Sequence, residues 1–98
     1  MVKIVWSPDS VIDLEEISEF IGQESDKYAS NIVIQIIKLA EVIASFPLSG
    51  RIVPEINNMN VPEKLYKNYR IIYRISNDHR VDILRIYHQS QRLKNNVD

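Results

Sequence analysis

Ninety-eight residues, 45% of them apolar and 26% charged, make one small domain with a single core of limited reserve. With no cysteine the chain has no disulfide framework, zinc–thiolate site or thiol nucleophile, and His79 and His88 lack a supporting ligand cluster for a metal. Net charge is −1, yet residues 1–63 hold four Lys/Arg against ten Asp/Glu, and residues 64–94 hold eight against two. Such a split suits a basic side facing nucleic acid or an acidic protein segment, unless the charges mix in space.

The opening Met1-Val2-Lys3-Ile4 runs straight into Trp6, so no signal peptide is expected. No apolar run approaches the ~20 residues that span a bilayer, so the expectation is a cytoplasmic protein without membrane contact. Val2–Trp6 reads as a short strand. Ser7 can cap a helix, Pro8 fits its first position and Asp9 favours its positive end. Val11, Leu14, Ile17 or Ser18, and Ile21 recur at helical spacing, with Asp13, Glu15, Glu16 and Glu19 on the wet side. Gly22 ends this helix.

Ser25-Asp26 starts a second helix. Ala29, Ile32, Val33, Ile36, Ile37, Ala40, Ile43 and Ala44 form an apolar stripe, widened by Ile34, Leu39 and Val42. A helix apolar on more than one side should be mostly covered. Pro47 ends it. Leu48–Asn60 reads as a loop with a short strand at Arg51–Val53, and Val61–Tyr66 as a strand weakened by Pro62.

Tyr69–Ser76 and Arg80–Tyr87 are rich in Ile, Tyr and Val and flank Asn77-Asp78, which predicts an antiparallel hairpin. With Asn77-Asp78 as a two-residue turn, Arg70 lies opposite Arg85, and Ile71 opposite Leu84. One face then holds Tyr69, Ile71, Tyr73, Leu84 and Ile86. The other holds Arg70, Arg74, Arg85 and Tyr87. Opposed arginines repel, so this face suits an anion; a solvated outer face is the plain alternative. Residues 89–98 read as a polar, frayed tail.

The order β-α-α-β-β-β predicts an α+β fold. A helical hairpin covers one face of a small, mostly antiparallel sheet of three to five strands, and leaves the arginine face in solvent.

Four motifs stand in order. They are Trp6-Ser7-Pro8 opening a helix, Phe46-Pro47-x-x-Gly50-Arg51-x-x-Pro54-Glu55, Tyr69-Arg70-Ile71-Ile72-Tyr73, and Val81-x-Ile83-Leu84-x-Ile86-x-His88. At this spacing they resemble the RelE/ParE superfamily of bacterial toxins, from about Val2 to His88. The resemblance implies the toxin of a type II toxin–antitoxin module, held by a cognate antitoxin and needing no cofactor. It implies two targets. RelE-like and YoeB-like members cleave mRNA on the ribosome, and ParE-like members poison DNA gyrase without a hydrolytic site. A third possibility is a degenerate toxin that only binds its antitoxin.

By resemblance to the YoeB-like site, Glu55 is the general base, Arg70 holds the scissile phosphate and His88 is the general acid. A carboxylate, an arginine and a histidine can supply the base, the charge stabilisation and the acid that RNA cleavage needs. Lys64, Lys67, Arg85 and Tyr87 are the expected substrate-binding residues. Simple alternation puts His88 with Ile86, away from Arg70, unless the strand ends, bulges or twists near Tyr87. Pro62-Glu63 stands where many members carry Arg-Glu, and Gln91 where an arginine is frequent; these departures leave the gyrase reading open.

Overall fold

The structure, a computed structural model, describes residues 2–77 and 79–89. The expected tail beyond Gln89 lies outside the described residues. The elements are β1 (Lys3–Trp6), α1 (Pro8–Gly22), α2 (Asp26–Ser45), a single 3₁₀ turn (Pro47–Ser49), β2 (Arg51–Ile52), β3 (Pro62–Tyr66), β4 (Tyr69–Asn77) and β5 (Arg80–His88). The strands form one sheet in the order β1-β5-β4-β3-β2. Only β1 runs parallel to its neighbour, at the sheet's edge; the other pairs are antiparallel.

Both helices start where their caps predict. Ser7 Oγ accepts the Ser10 N–H at 3.0 Å, and Ser25 Oγ accepts the Tyr28 N–H at 3.1 Å. The Ser7 hydroxyl also donates to the Leu84 carbonyl at 2.7 Å, which pins the start of α1 to β5. α1 is rotated from the expected face. Val11 is exposed and Ser10 is buried, its hydroxyl donating back to the Ser7 carbonyl. Asp13, expected in water, turns instead toward β5.

The core lies between the helices and one face of the sheet. Ile32, Ile36, Ala40 and Ile43 of α2 meet Ile71 and Tyr73 of β4 and Val81, Ile83 and Ile86 of β5, with Leu14, Ile17 and Ile21 of α1 at the margin. Each fully buried isoleucine contributes about 1.5–3 kcal/mol. α2 is 20 residues long and apolar enough to cross a bilayer by length and composition, which the sequence reading did not expect. Its inner stripe is occupied by the sheet, while Ile34, Ile37 and Val42 on its outer side stay exposed rather than covered.

The hairpin departs from the expected register. β4 and β5 close at Asn77 opposite Arg80, one residue later than an Asn77-Asp78 turn would give. Ser76 and Leu84 are each left over at irregularities in the ladder, so Arg70 faces Tyr87, Ile71 faces Ile86, and Ile72 faces Arg85. The extra residue at Leu84 turns that side chain to the other face. There it joins a second small core of Val53, Val61 and Ile72, with Ile56 and Tyr87. The face expected to be open is therefore partly covered by the 53–61 loop, and Arg70 is only 5% exposed.

β3 and β4 are joined by Lys67-Asn68, between the paired Tyr66 and Tyr69. Lys67 has φ 52°, a left-handed conformation that costs a residue with a Cβ about 1–2 kcal/mol.

Candidate functional site

Strand alternation puts Arg70, Ile72 and Arg74 on the face of β4 away from the helices. On β3 the same face carries Glu63, which lies opposite Ile72, and on β2 it carries Arg51, opposite Glu63. The Pro54-Glu55 turn then folds over this face. The result is a closed ion cluster. Glu55 grips the Arg70 guanidinium with both oxygens, at 2.8 Å to each terminal nitrogen. Arg70 Nε donates to Glu63 at 2.7 Å, and Arg51 Nε donates to the second Glu63 oxygen at 2.8 Å. The Arg70 and Glu63 side chains are 6% and 0% exposed. Fork-to-fork pairing of this kind is the strongest carboxylate–guanidinium geometry. Glu55 raises the Arg70 pKa above its ordinary value; burial works against this and Glu63 adds to it.

The same cluster explains Gly50. A Cβ there would stand 2.3 Å from the Tyr73 hydroxyl and 2.7 Å from the Glu63 carbonyl oxygen. Only glycine allows that approach. The Tyr73 hydroxyl donates to the Pro47 carbonyl at 2.6 Å and accepts the Gly50 N–H at 3.1 Å. Burial pushes the Tyr73 pKa up, against the Gly50 hydrogen bond. So Pro47, Gly50, Arg51 and Glu55 of one motif and Arg70 and Tyr73 of another form one contiguous network.

The other expected site residues lie elsewhere. His88 is opposite Tyr69 in the ladder and meets its ring edge-on at 5.9 Å. That is the Ile71 and Ile86 face, and Arg70 projects from the opposite one; the bulge at Leu84 comes too early in β5 to change this. Tyr87 shares Arg70's face and belongs to the second core. Arg85 is held by Asp13 of α1, with Nε and a terminal nitrogen at 2.8 and 3.0 Å. Asp13 also accepts the Ile86 N–H at 2.9 Å. The Asp13 carboxylate raises the Arg85 pKa, against burial. Lys64 donates to the Ser49 carbonyl at 3.3 Å. Lys67 stands over the rings of Tyr28 and Tyr66, at 5.7 and 5.8 Å from their centres.

The structure thus brings Glu55 and Arg70 together as partners and leaves His88 apart from them. The charge split along the sequence is largely mixed in space, since Arg70 meets Glu55 and Glu63, and Arg85 meets Asp13. Among the described residues no group of three or more His, Cys, Asp or Glu gathers to hold a metal ion. Sequence reading missed Glu63 and Asp13. For Glu63 the available signal was alternation, which sets it on the face of β3 whose next neighbour in space is the arginine strand. Asp13 carried no distinguishing signal among the five acids of α1.

A family model described as the ParE toxin of the type II toxin–antitoxin system parDE matches residues 4–93. None of the curated proteins matches by sequence. Among solved structures, the chromosomal ParDE TA system from P. aeruginosa superposes with a TM-score of 0.73 at 18% identity, covering 90% of this chain and 96% of that one. The toxin–antitoxin complex RelBE2 from Mycobacterium tuberculosis superposes with a TM-score of 0.67 at 21% identity, covering 93% and 97%. At these identities the two likenesses bear on the fold alone.

Proposed function

The chain belongs to the ParE toxin family of type II toxin–antitoxin systems, and from that premise we propose that it arrests growth by protein–protein contact with DNA gyrase, not by cutting RNA. The observation that carries this reading is the occupancy of Arg70. A phosphate-holding arginine must present its fork to substrate, and here both terminal nitrogens are engaged by Glu55 while Nε is engaged by Glu63. Glu55, in turn, has both oxygens on Arg70, so it is poorly placed to take a proton from a ribose hydroxyl. Ribosome-dependent mRNA cleavage by Glu55, Arg70 and His88 would require Glu55 to leave Arg70 and His88 to come round from the other face.

On this reading the chain is a single cytoplasmic toxin domain that needs no cofactor and touches no membrane. Its partners are a cognate antitoxin and gyrase. The test uses the purified chain in two assays. Loss of gyrase supercoiling with intact message in a ribosome-dependent translation mix supports contact inhibition. Message cleaved on the ribosome, with gyrase unaffected, overturns it in favour of the nuclease.

A further inference from the structure

The aromatic side chains are unevenly placed. Phe20 of α1 and Tyr28 of α2 line one cleft beside the α1–α2 link. Tyr28 and Tyr66 flank the Lys67 ammonium, Tyr66 pairs with Tyr69 across the β3–β4 turn, and Tyr69 meets His88. From Tyr69 a cleft of about 500 Å³ continues between α1 and the end of β5, with Phe20, Ile17, Ile86 and Tyr87 among its walls. Phe20 is 75% exposed and Tyr28 48%. Neither the helical core nor the ion cluster uses these two rings.

Lys67 adds an independent observation. It holds a left-handed backbone conformation, φ 52°, at the tip of a two-residue turn, where glycine would sit without strain. The strained tip carries a cation between two tyrosine rings, with no carboxylate within ion-pair distance among the described residues. Strain retained at an exposed turn points to a use for the side chain.

We propose that this end of the molecule, with Phe20, Tyr28, Tyr66, Lys67 and Tyr69, is the surface that grips the toxin's protein target. The inference rests on the contact-inhibitor reading and locates its interface. Tyrosines and a phenylalanine beside a cleft walled in part by Ile17 and Ile86 have the make-up of a binding hot spot, and rigid rings lose little entropy on docking. The partner this surface fits presents an apolar or aromatic side chain to the cleft and a carboxylate to Lys67. Nucleic acid fits less well. Binding a strand takes a run of cations along its phosphates, whereas the cleft carries Asp13 and Glu16, and its one arginine, Arg85, is already paired.

Three variants test the surface: Lys67→Gly, Tyr28→Ala and Phe20→Ser. Each is measured for thermal stability, growth arrest on induction, inhibition of purified gyrase, and binding of a labelled oligothymidine. Lys67→Gly relieves the turn and should melt at or above the wild type, yet lose about tenfold or more in inhibitory potency. Tyr28→Ala and Phe20→Ser should keep their fold and lose comparable potency. Full toxicity in all three variants overturns the surface. If the wild type arrests growth without touching gyrase, and Lys67→Gly does not arrest growth, the target named above is wrong and the surface stands. A wild type that leaves growth unaffected overturns both. Oligothymidine binding that disappears in Tyr28→Ala overturns the protein partner.

Discussion

Arg70 and Arg85 sit on neighbouring strands, and each is held by a carboxylate from a distant part of the chain. Their surroundings differ. Arg70 is enclosed by Glu55 on one side and Glu63 on the other, with 6% of its side chain exposed. Among the described residues Arg85 is ion-paired with Asp13 alone; it is 27% exposed and stands 4.7 Å over the Tyr87 ring at the wall of an open cleft. In the first case the guanidinium joins the 53–61 loop to the sheet, and its charge is neutralised inside the fold. In the second it fastens α1 to β5 and still borders solvent. An arginine in a family motif can thus be the more structural of two, while the one outside the central strand borders the accessible surface.

The largest break should come at Arg70. Arg70→Ala strips the fully buried Glu63 of its bond to Arg70, leaving the one from Arg51, and removes the tie from the Glu55 loop to the sheet, a loss of about 3–5 kcal/mol for a buried pair broken on one side. Urea denaturation measures it. Arg70→Lys keeps the charge but cannot span both carboxylates, so its toxicity should fall only as its folded fraction falls. Loss of toxicity at wild-type stability would make Arg70 functional in its own right. Gly50→Ala sharpens the same region. Its Cβ collides with Tyr73 and the Glu63 backbone, costing about 1–3 kcal/mol of overpacking, read as a lowered melting temperature.

On the open side the effects should be smaller. Asp13→Ala removes the acceptor for Arg85 and for the Ile86 N–H, and leaving such a group unmet costs about 1–3 kcal/mol. Asp13→Asn keeps one acceptor oxygen and should recover part of it. A cycle combining Asp13→Ala with Arg85→Ala separates the two contacts. The smallest effect belongs to Asp82 at the exposed end of the hairpin. Burial raises its pKa, but the Ser76 hydroxyl and the Arg80 guanidinium outweigh that and hold the carboxyl below its ordinary value. Its contribution is therefore present above the ordinary aspartate range of about pH 4 and lost as the pH falls below it. Asp82→Asn should lower stability slightly at neutral pH and merge with the wild type in acid, measured by melts across that range.

What the sequence made legible was local. Ser7, Pro8, Ser25 and Pro47 mark helix ends through groups one to four residues away, and the helices begin and end where those groups say. The antiparallel pairing of β4 with β5 was legible in the same way, while the place of β1 beside β5 was not. The facing of Leu84 did not, because a single extra residue reverses alternation and its cause lies in packing against Val53 and Val61. The candidate site was half legible. The motifs picked out Glu55 and Arg70, but not that they satisfy each other, since the contact spans a loop whose path depends on Gly50 and Tyr73. The aromatic end was invisible for the same reason. Phe20, Tyr28 and Tyr66 come from three separate elements, and nothing in their spacing joins them.

The parallel pairing of β1 with β5 bears on how the chain is made. Lys3–Trp6 lies beside Arg80–Ile83, and α1 is fastened through Ser7 and Asp13 to Leu84, Arg85 and Ile86. The first strand therefore has no strand partner, and the first helix no anchor on the sheet, until β5 has left the ribosome. A growing chain can form the helical hairpin early, from contacts near in sequence, but the sheet that carries Arg70 and the Lys67 turn closes last. Release of β5 is therefore the step at which the surface around Lys67 should first take shape.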